Sequence, residues 1–213
     1  MDMSISEVKY CSTFRRLLAI NIDIAIVSVI RILFINIIGL FWLNNVIENF
    51  VLDFKNTFHT DAFDNSFLQR EFIFHHPIFK IILFFYFFIF LVGAFYHSYL
   101  NSTEWRATIG KRIMGVMMVN RNYNKISFKQ AFSHYTLSVL PIFFLIYLCA
   151  VSVSLNISFD QAVSYNYFNL SLTFFSFIWY NMQIFTKKKV TAYDLLCKNY
   201  LIIGRSKNKF PNR

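Results

Sequence analysis

Four long apolar blocks alternate with shorter polar segments along the chain. The blocks run approximately over residues 17–41, 78–99, 135–156 and 167–185. A helix needs about 17–25 mainly apolar residues to cross the roughly 30 Å of hydrocarbon in a bilayer. The pattern therefore predicts an all-α integral membrane protein, with a bundle of about four transmembrane helices in a single domain over residues 1–213. The alternative interpretation is three spans and one buried hairpin.

The segment between the second and third blocks has a pattern of its own. Residues 113–119 are short and apolar, and residues 122–125 then carry a turn signal. Ser127 with Gln130 three residues later has the spacing of a capping box, which opens a helix. We therefore expect a short hairpin or interfacial helix on the cytoplasmic side, leading into the third transmembrane helix.

Lysine and arginine are distributed unevenly between the segments that flank the blocks. The start of the chain, the 100–134 segment and the tail after residue 185 are basic, whereas residues 42–76 carry mostly acids and the short loop before the fourth block has no basic residue. Basic residues collect on the cytoplasmic side of membrane proteins. The alternation predicts that both the N and C termini are cytoplasmic.

Composition narrows the class of function. The chain is 56% hydrophobic and only 15% charged, against roughly 25% charged in soluble domains. The net charge of +10 comes from lysines and arginines near the ends of the apolar blocks, where they orient a protein in the membrane. We therefore expect no nucleic-acid partner. The three cysteines form no metal-binding or disulfide pattern, and the acids and histidines of residues 42–76 match no compact metal site. No catalytic motif is present either, so we expect neither an enzyme nor a cofactor.

Charged residues inside a bilayer are costly and therefore point to function or to packing. Arg16 and Asp23 are seven residues apart, which places them on nearly the same face of the first helix and about 10 Å apart along its axis. Asp23 is either a structural residue that pairs with a base on another segment, or a cation or proton site. Arg31 is expected to snorkel outward or to pair with Asp23. His97 is either a proton relay or, more commonly, a hydrogen-bonded interface residue.

Three stretches together resemble the RDD family of bacterial membrane proteins, named for one arginine and two aspartates. The stretch from Arg16 to Asp23 is similar to the segment with the family's arginine and first aspartate. Residues 108–116 are similar to its glycine-lysine loop. Residues 191–196, which include Asp194, are similar to the segment with its second aspartate. The resemblance covers nearly the whole chain, which it identifies as a single RDD-like membrane domain. It departs from the family pattern at Ile109, where proline is common, at His134, where arginine is common nearby, and at residues 195–199.

The resemblance implies a multi-pass protein of the bacterial inner membrane, with Arg16, Asp23 and Asp194 as its functional cluster and Gly110 and Lys111 as secondary members. Transport of unknown ligands is proposed for the family, sodium/proton exchange is attributed to some members, and related domains act as assembly partners of other membrane proteins. Arg16 is expected to pair with Asp194, unless the two aspartates share Arg16 and Lys111.

Two functions follow from these residues. The first is transport of a small ligand, or cation/proton exchange using Asp23, with Arg16 and Asp194 as a cytoplasmic gate. The second is a non-transporting membrane module that binds or stabilises a partner membrane protein or complex. Four helices form a small bundle, so a homo-oligomer is expected if a transport pathway needs more surface.

Overall fold

The computed structural model describes residues 8–39, 43–58, 72–73, 75–154 and 159–204, with the side chains of residues 145–166 and of residue 169 outside that description. Within these residues the chain is mostly helical. The elements are α1 (Thr13–Ile38), α2 (Asn44–Thr57), α3 (Pro77–Ser102), α4 (Ile109–Ile113), β1 (Val116–Asn120), α5 (Phe128–Ser154), α6 (Phe159–Asn181), a 3₁₀ turn (Met182–Ile184), α7 (Ala192–Leu196) and β2 (Asn199–Ile203).

The long helices α1, α3, α5 and α6 coincide with the four predicted apolar blocks, although their bounds differ. α1 begins four residues earlier than predicted because Ser12 caps it, accepting a hydrogen bond from the amide of Arg15. α3 begins at Pro77, since proline is well suited to the first helical position. The predicted ends at residues 41 and 156 lie outside the described residues. α6 begins at Phe159 rather than at residue 167 and ends at Asn181, where the 3₁₀ turn follows.

α5 differs most from the prediction. It is one continuous helix from Phe128, so the separate interfacial helix expected before residue 135 is wrong. Pro141 lies inside it without ending it. The capping box is only half formed. The amide of Gln130 donates to Ser127 Oγ, but the Gln130 side chain donates instead to Cys197 O and Asn199 Oδ1. The short helix between the second and third long helices is α4.

The surface of α1 is divided between a narrow buried stripe and a broad exposed apolar face. Its buried residues are Arg16, Ala19, Asp23 and Val27, which form one stripe at helical spacing. The remaining surface exposes large apolar side chains. Within the described residues, α1 and α3 are long and apolar enough to cross a membrane. A buried stripe that contains the charged residues Arg16 and Asp23, on a helix that is otherwise apolar and exposed, is the expected arrangement when lipid covers the outside.

The helices pack in a simple order: α1 lies along α3, α3 along α5, and α5 along α6. The amphipathic helix α2 lies in the acidic segment after the first apolar block and contacts α3. Phenylalanines of α2 pack against Phe72 and His76, and His76 Nε2 lies 3.3 Å from Asp53 Oδ2. The loop residues His59, Asp61, Asp64 and Glu71 lie outside the described residues.

A small antiparallel sheet joins distant parts of the chain. β1 pairs with β2, in a register that places Val116 opposite Ile203 and Asn120 opposite Asn199. Tyr10 forms a bridge to Ile202, so the chain start also joins the sheet. The predicted local hairpin after residue 113 is therefore wrong, because β1 finds its partner in the C-terminal segment. We call the group formed by α4, β1, α7 and β2 the sheet layer.

Both faces of this sheet are covered. Met118 and Leu201 pack on one side with Ile126 and Ala131. Met117, Val119 and Ile202 pack on the other side with Val190. A sheet with two buried faces reads as a continuous apolar run rather than an alternating one. The run Val116–Val119 fits that description, and its burial anchors the sheet layer to the ends of the long helices.

Candidate functional site

Asp23 lies on α1 and binds the start of α4. Thr108 Oγ1 donates to its Oδ2 at 2.5 Å, the amide of Gly110 donates to its Oδ1 at 2.9 Å, and Tyr96 Oη donates to Oδ1 at 2.8 Å. The side chain is only 2% exposed. The first amides of a helix have no partner within the helix, and a carboxylate is a favourable one. Asp23 therefore accepts hydrogen bonds at both carboxylate oxygens and attaches the sheet layer to α1.

The absence of a side chain at Gly110 allows the backbone of α4 to lie close to Asp23 on α1. A Cβ at this position would clash with the carbonyl oxygen of Ala19 and would lie 2.9 Å from the carboxyl group of Asp23. Only a residue without a side chain allows the α4 backbone to reach the α1 surface at this point. The glycine of the glycine-lysine loop therefore has a packing role next to Asp23.

Arg16 and Asp194 form the predicted ion pair, with 2.6 Å between Arg16 Nη2 and Asp194 Oδ2. Arg16 is 4% exposed and Asp194 is fully buried. The guanidinium also donates to Thr191 Oγ1 at 3.2 Å, to Tyr193 Oη at 3.3 Å and to Lys189 O at 3.4 Å. A buried arginine with this many acceptors holds the segment before and within α7 against α1.

Asp194 has three partners. Besides Arg16, its Oδ1 accepts from His134 Nε2 at 2.7 Å, and its Oδ2 accepts from the amide of Thr191 at 2.9 Å. With the bond from the Asp194 amide to Thr191 Oγ1, the last contact completes a capping box that starts α7. Burial by itself would raise the pKa of Asp194, but the charge of Arg16 and the His134 hydrogen bond hold that pKa well below its usual range. Asp194 is an ionised structural anchor.

Lys111 is buried near Asp23 without touching it. Its Nζ donates to Asn101 Oδ1 at 3.1 Å, and Asn101 Nδ2 donates to His97 O. Burial lowers the pKa of Lys111 to about 8, whereas the negative charge of Asp23 acts in the opposite direction. The direct pair is therefore Arg16 with Asp194, and among the described residues Lys111 forms no ion pair with either aspartate.

Arg31 behaves differently from both expectations stated for it. It neither snorkels outward nor pairs with Asp23. Its Nε donates to Ile89 O at 3.1 Å and its Nη2 donates to Tyr135 Oη at 3.3 Å, so the guanidinium lies inside the bundle between α3 and α5. The ring of His97 stacks on Tyr135 with 5.0 Å between the centroids. His97 is thus an interface residue held by stacking rather than by the expected hydrogen bond of its ring.

A cavity of about 450 Å³ lies between α1, α3 and α5 and connects these groups. Charged residues line it at both ends, and most of the wall between them is apolar. The charged and titratable residues of its wall are Arg16, Asp23, Arg31, His97, Lys111 and His134. The structure therefore brings the residues singled out in the sequence to one cavity, except that Gly110 lies beside Asp23 and Asp194 lies behind Arg16.

Several residues of the site were missed in the sequence. The Thr191 capping role could have been found, because Thr191 and Asp194 have the spacing of a capping box. His134 carried a signal too, since the family resemblance places a common arginine near this position. Thr108 lies in the stretch 108–116 that resembles the family, but its contact with Asp23 was not predicted, and nothing local in the sequence indicated Tyr96. Both reach Asp23 only because α3 and the start of α4 pack against α1.

The comparison with protein families agrees with this arrangement. A model of the RDD family matches residues 10–198. The chain belongs to the RDD family. The match spans the described long helices and the sheet layer as far as residue 198, and together with the two apolar helices it makes this RDD protein a membrane protein. No curated protein and no solved structure matches the chain.

Proposed function

We propose that this RDD protein crosses the membrane four times, with both termini in the cytoplasm. We further propose that it binds a small ligand in the cavity between α1, α3 and α5 and transports it across the membrane. The observation that carries the proposal is the cavity itself. At about 450 Å³ it lies within the range of small-molecule sites, and charged residues lie at both ends of its mostly apolar wall. The proposal assigns no chemical reaction, and the family resemblance favours the inner membrane of a bacterium as its location.

The sheet layer supports the four-span topology. The segment before α1, the segment between α3 and α5, and the segment after α6 all meet in it, through the Tyr10–Ile202 bridge and the β1–β2 pairing. One end of each long helix therefore leads to the same side. Helices arranged in this way run alternately up and down, which is the arrangement of a four-span bundle. The basic residues of these three segments favour the cytoplasm for that side.

Labelling with a membrane-impermeant thiol reagent tests the topology. In a variant without the native cysteines, Asn49→Cys on α2 is expected to react in intact cells. Lys125→Cys, in the exposed turn after β1, is expected to react only after the membrane is permeabilised. Reaction of both positions in intact cells would contradict the proposed orientation.

The same chemistry tests transport without knowledge of the ligand. Val27→Cys and Val139→Cys lie in the cavity wall, and Leu33→Cys, which is outside the cavity and 58% exposed, is the matched control facing lipid. A transporter is expected to let the reagent reach both cavity positions from each side of the membrane in turn, and Leu33→Cys from neither. Reaction from one side alone, or from none, would contradict transport and would favour the module that binds a partner protein.

Cation/proton exchange through Asp23 is a second candidate, favoured by a buried carboxylate on a helix that is apolar enough to cross the membrane. Both oxygens of Asp23 already accept hydrogen bonds, two at Oδ1 and one at Oδ2, so a cation would have to compete with these donors. Proton movement in vesicles under a sodium or potassium gradient tests it, with Asp23→Asn as the comparison. Flux in wild type that Asp23→Asn abolishes would support exchange, and absence of flux in wild type under either gradient would refute it.

A further inference from the structure

We propose that Arg31 is the binding residue for an organic monoanion, with a carboxylate at the guanidinium and an apolar body along the cavity. The inference rests on the proposed function only in using the same cavity, and it goes beyond it by naming the ligand class. It starts from the position of Arg31, fifteen residues beyond Arg16 on α1 and therefore about 22 Å further along the helix axis. Its side chain points back into the bundle, to Ile89 O and Tyr135 Oη.

Arg31 has no counter-ion among the described residues. The two acids of the site are used elsewhere: Asp23 accepts three hydrogen bonds at the start of α4, and Asp194 is paired with Arg16. Lys111 is the remaining base of the site, so three bases, Arg16, Lys111 and Arg31, stand against these two acids. Once these charges are matched, the excess positive charge of the site is the one on Arg31. A charge left unbalanced at this depth is costly, so an anion that enters the cavity is favoured.

The guanidinium is prepared for such a ligand. It has five N–H groups, and its described hydrogen bonds use two of them, at Nε and Nη2. The remaining donors form part of the planar fork that binds a carboxylate with two parallel hydrogen bonds. The two existing bonds fix the orientation of the fork before the ligand arrives, which reduces the entropy lost on binding.

Gly93 holds the guanidinium in the bundle. A Cβ on Gly93 would clash with Tyr135 Oη and would lie 2.6 Å from Arg31 Nη2. The glycine therefore makes the recess in α3 that both polar groups occupy. This recess explains why Arg31 lies inside the cavity rather than reaching for the membrane surface.

The rest of the wall sets the second property of the ligand. Beside Arg31, the cavity is lined by Val27, Phe90, Val139 and Phe143, and most of its surface is apolar. An inorganic anion would leave that apolar surface without contacts, whereas a hydrocarbon chain or an aromatic ring would cover it. A carboxylate with an apolar body matches both parts of the cavity.

Val27 provides the variant for the test. It precedes Arg31 by four residues, so an aspartate there would face the arginine one helical turn away and pair with it. Val27→Asp is thus expected to fill the anion site from within the chain, where attraction to Arg31 offsets repulsion from Asp23, which is also four residues away. Val27→Asn has nearly the same size without the charge and is the matched comparison. Ile32→Met, on the exposed side of the same helix, controls for the purification.

Binding is measured by calorimetry on the purified full chain in uncharged detergent micelles, with empty micelles subtracted. The probes are decanoate, decanol as its uncharged match, and benzoate as a short water-soluble carboxylate. Wild type and Ile32→Met are expected to bind decanoate at least about tenfold more tightly than Arg31→Met and Val27→Asp, with Val27→Asn much closer to wild type. Unfolding temperatures verify that each variant is folded.

The outcomes separate the sources of the ligand and the two proposals. Binding of decanoate without benzoate would support an anion derived from the membrane, and binding of both would support a soluble carboxylate. Equal binding of decanoate and decanol to wild type, or equal binding of decanoate to Val27→Asp and Val27→Asn, would overturn the proposal. Transport is tested by the reactivity of the cavity cysteines, which does not depend on any anion, so either proposal can fail alone.

Discussion

Breaking the ion pair between Arg16 and Asp194 is expected to cost more stability than any other single polar contact of the site. The perturbation is a double-mutant cycle with Arg16→Met, Asp194→Asn and the double variant. Removal of one member of a buried ion pair typically costs about 3–5 kcal/mol, because the other charge is left buried and unpaired. Arg16 is 4% exposed and Asp194 is fully buried, so this range applies without a correction for solvent.

The contacts place the two single variants at different ends of that range. In Arg16→Met, Asp194 keeps two partners, the ring of His134 and the amide of Thr191, so we expect about 3 kcal/mol. In Asp194→Asn, the guanidinium keeps only neutral acceptors, and we expect about 5 kcal/mol. The double variant leaves neither charge buried alone. Its cost should therefore be far below the sum of the two single costs, with a coupling of about 3 kcal/mol.

The assay is the free energy of unfolding in detergent micelles, followed by circular dichroism for all four proteins. The matched control is the cycle on Lys125 and Glu104, whose side chains are 2.7 Å apart but 43% and 77% exposed. We expect no coupling above experimental error for this exposed pair. Strict additivity for Arg16 and Asp194, like that of the control pair, would refute the argument that this buried contact holds α7 against α1.

Three further predictions concern stability in the same assay. Gly110→Ala should lower the free energy of unfolding by about 1–3 kcal/mol, because the added Cβ would clash with α1. Gly39→Ala is the control and should be nearly neutral, because the space around Gly39 is open. Equal effects of the two substitutions would contradict the packing role of Gly110. The pKa of Asp194 is held below its ordinary value of 3.8, so the stabilisation that its charge provides is present above that pH and is lost in acid. Wild type should therefore lose more stability than Asp194→Asn between about pH 5 and pH 3. Burial lowers the pKa of Lys111 from 10.5 to about 8, so between these pH values the unfolded chain binds a proton that the folded protein does not, and the free energy of unfolding should rise with pH. A rise of the same size in Lys111→Met would exclude Lys111 as its source.

The sequence by itself determined the parts of this protein that depend on local pattern. Four apolar blocks predicted the long helices, because helix length and apolar content are properties of contiguous residues. The spacing of Arg16 and Asp23 placed both on one stripe of α1, and both are buried there. The family motifs identified Arg16, Asp23 and Asp194, and the predicted pairing of Arg16 with Asp194 is present.

Only the tertiary structure decided which groups meet across the chain. β1 was expected to fold back locally, yet it pairs with β2 some eighty residues later, because the C-terminal segment and residues 9–11 lie at the same end of the bundle. The donors to Asp23 and the inward direction of Arg31 depend on close approaches at Gly110 and Gly93, which no local pattern announces. Only the structure shows which charges are paired, and that Arg31 has no counter-ion among the described residues. Burial and pairing depend on neighbours in space rather than in sequence.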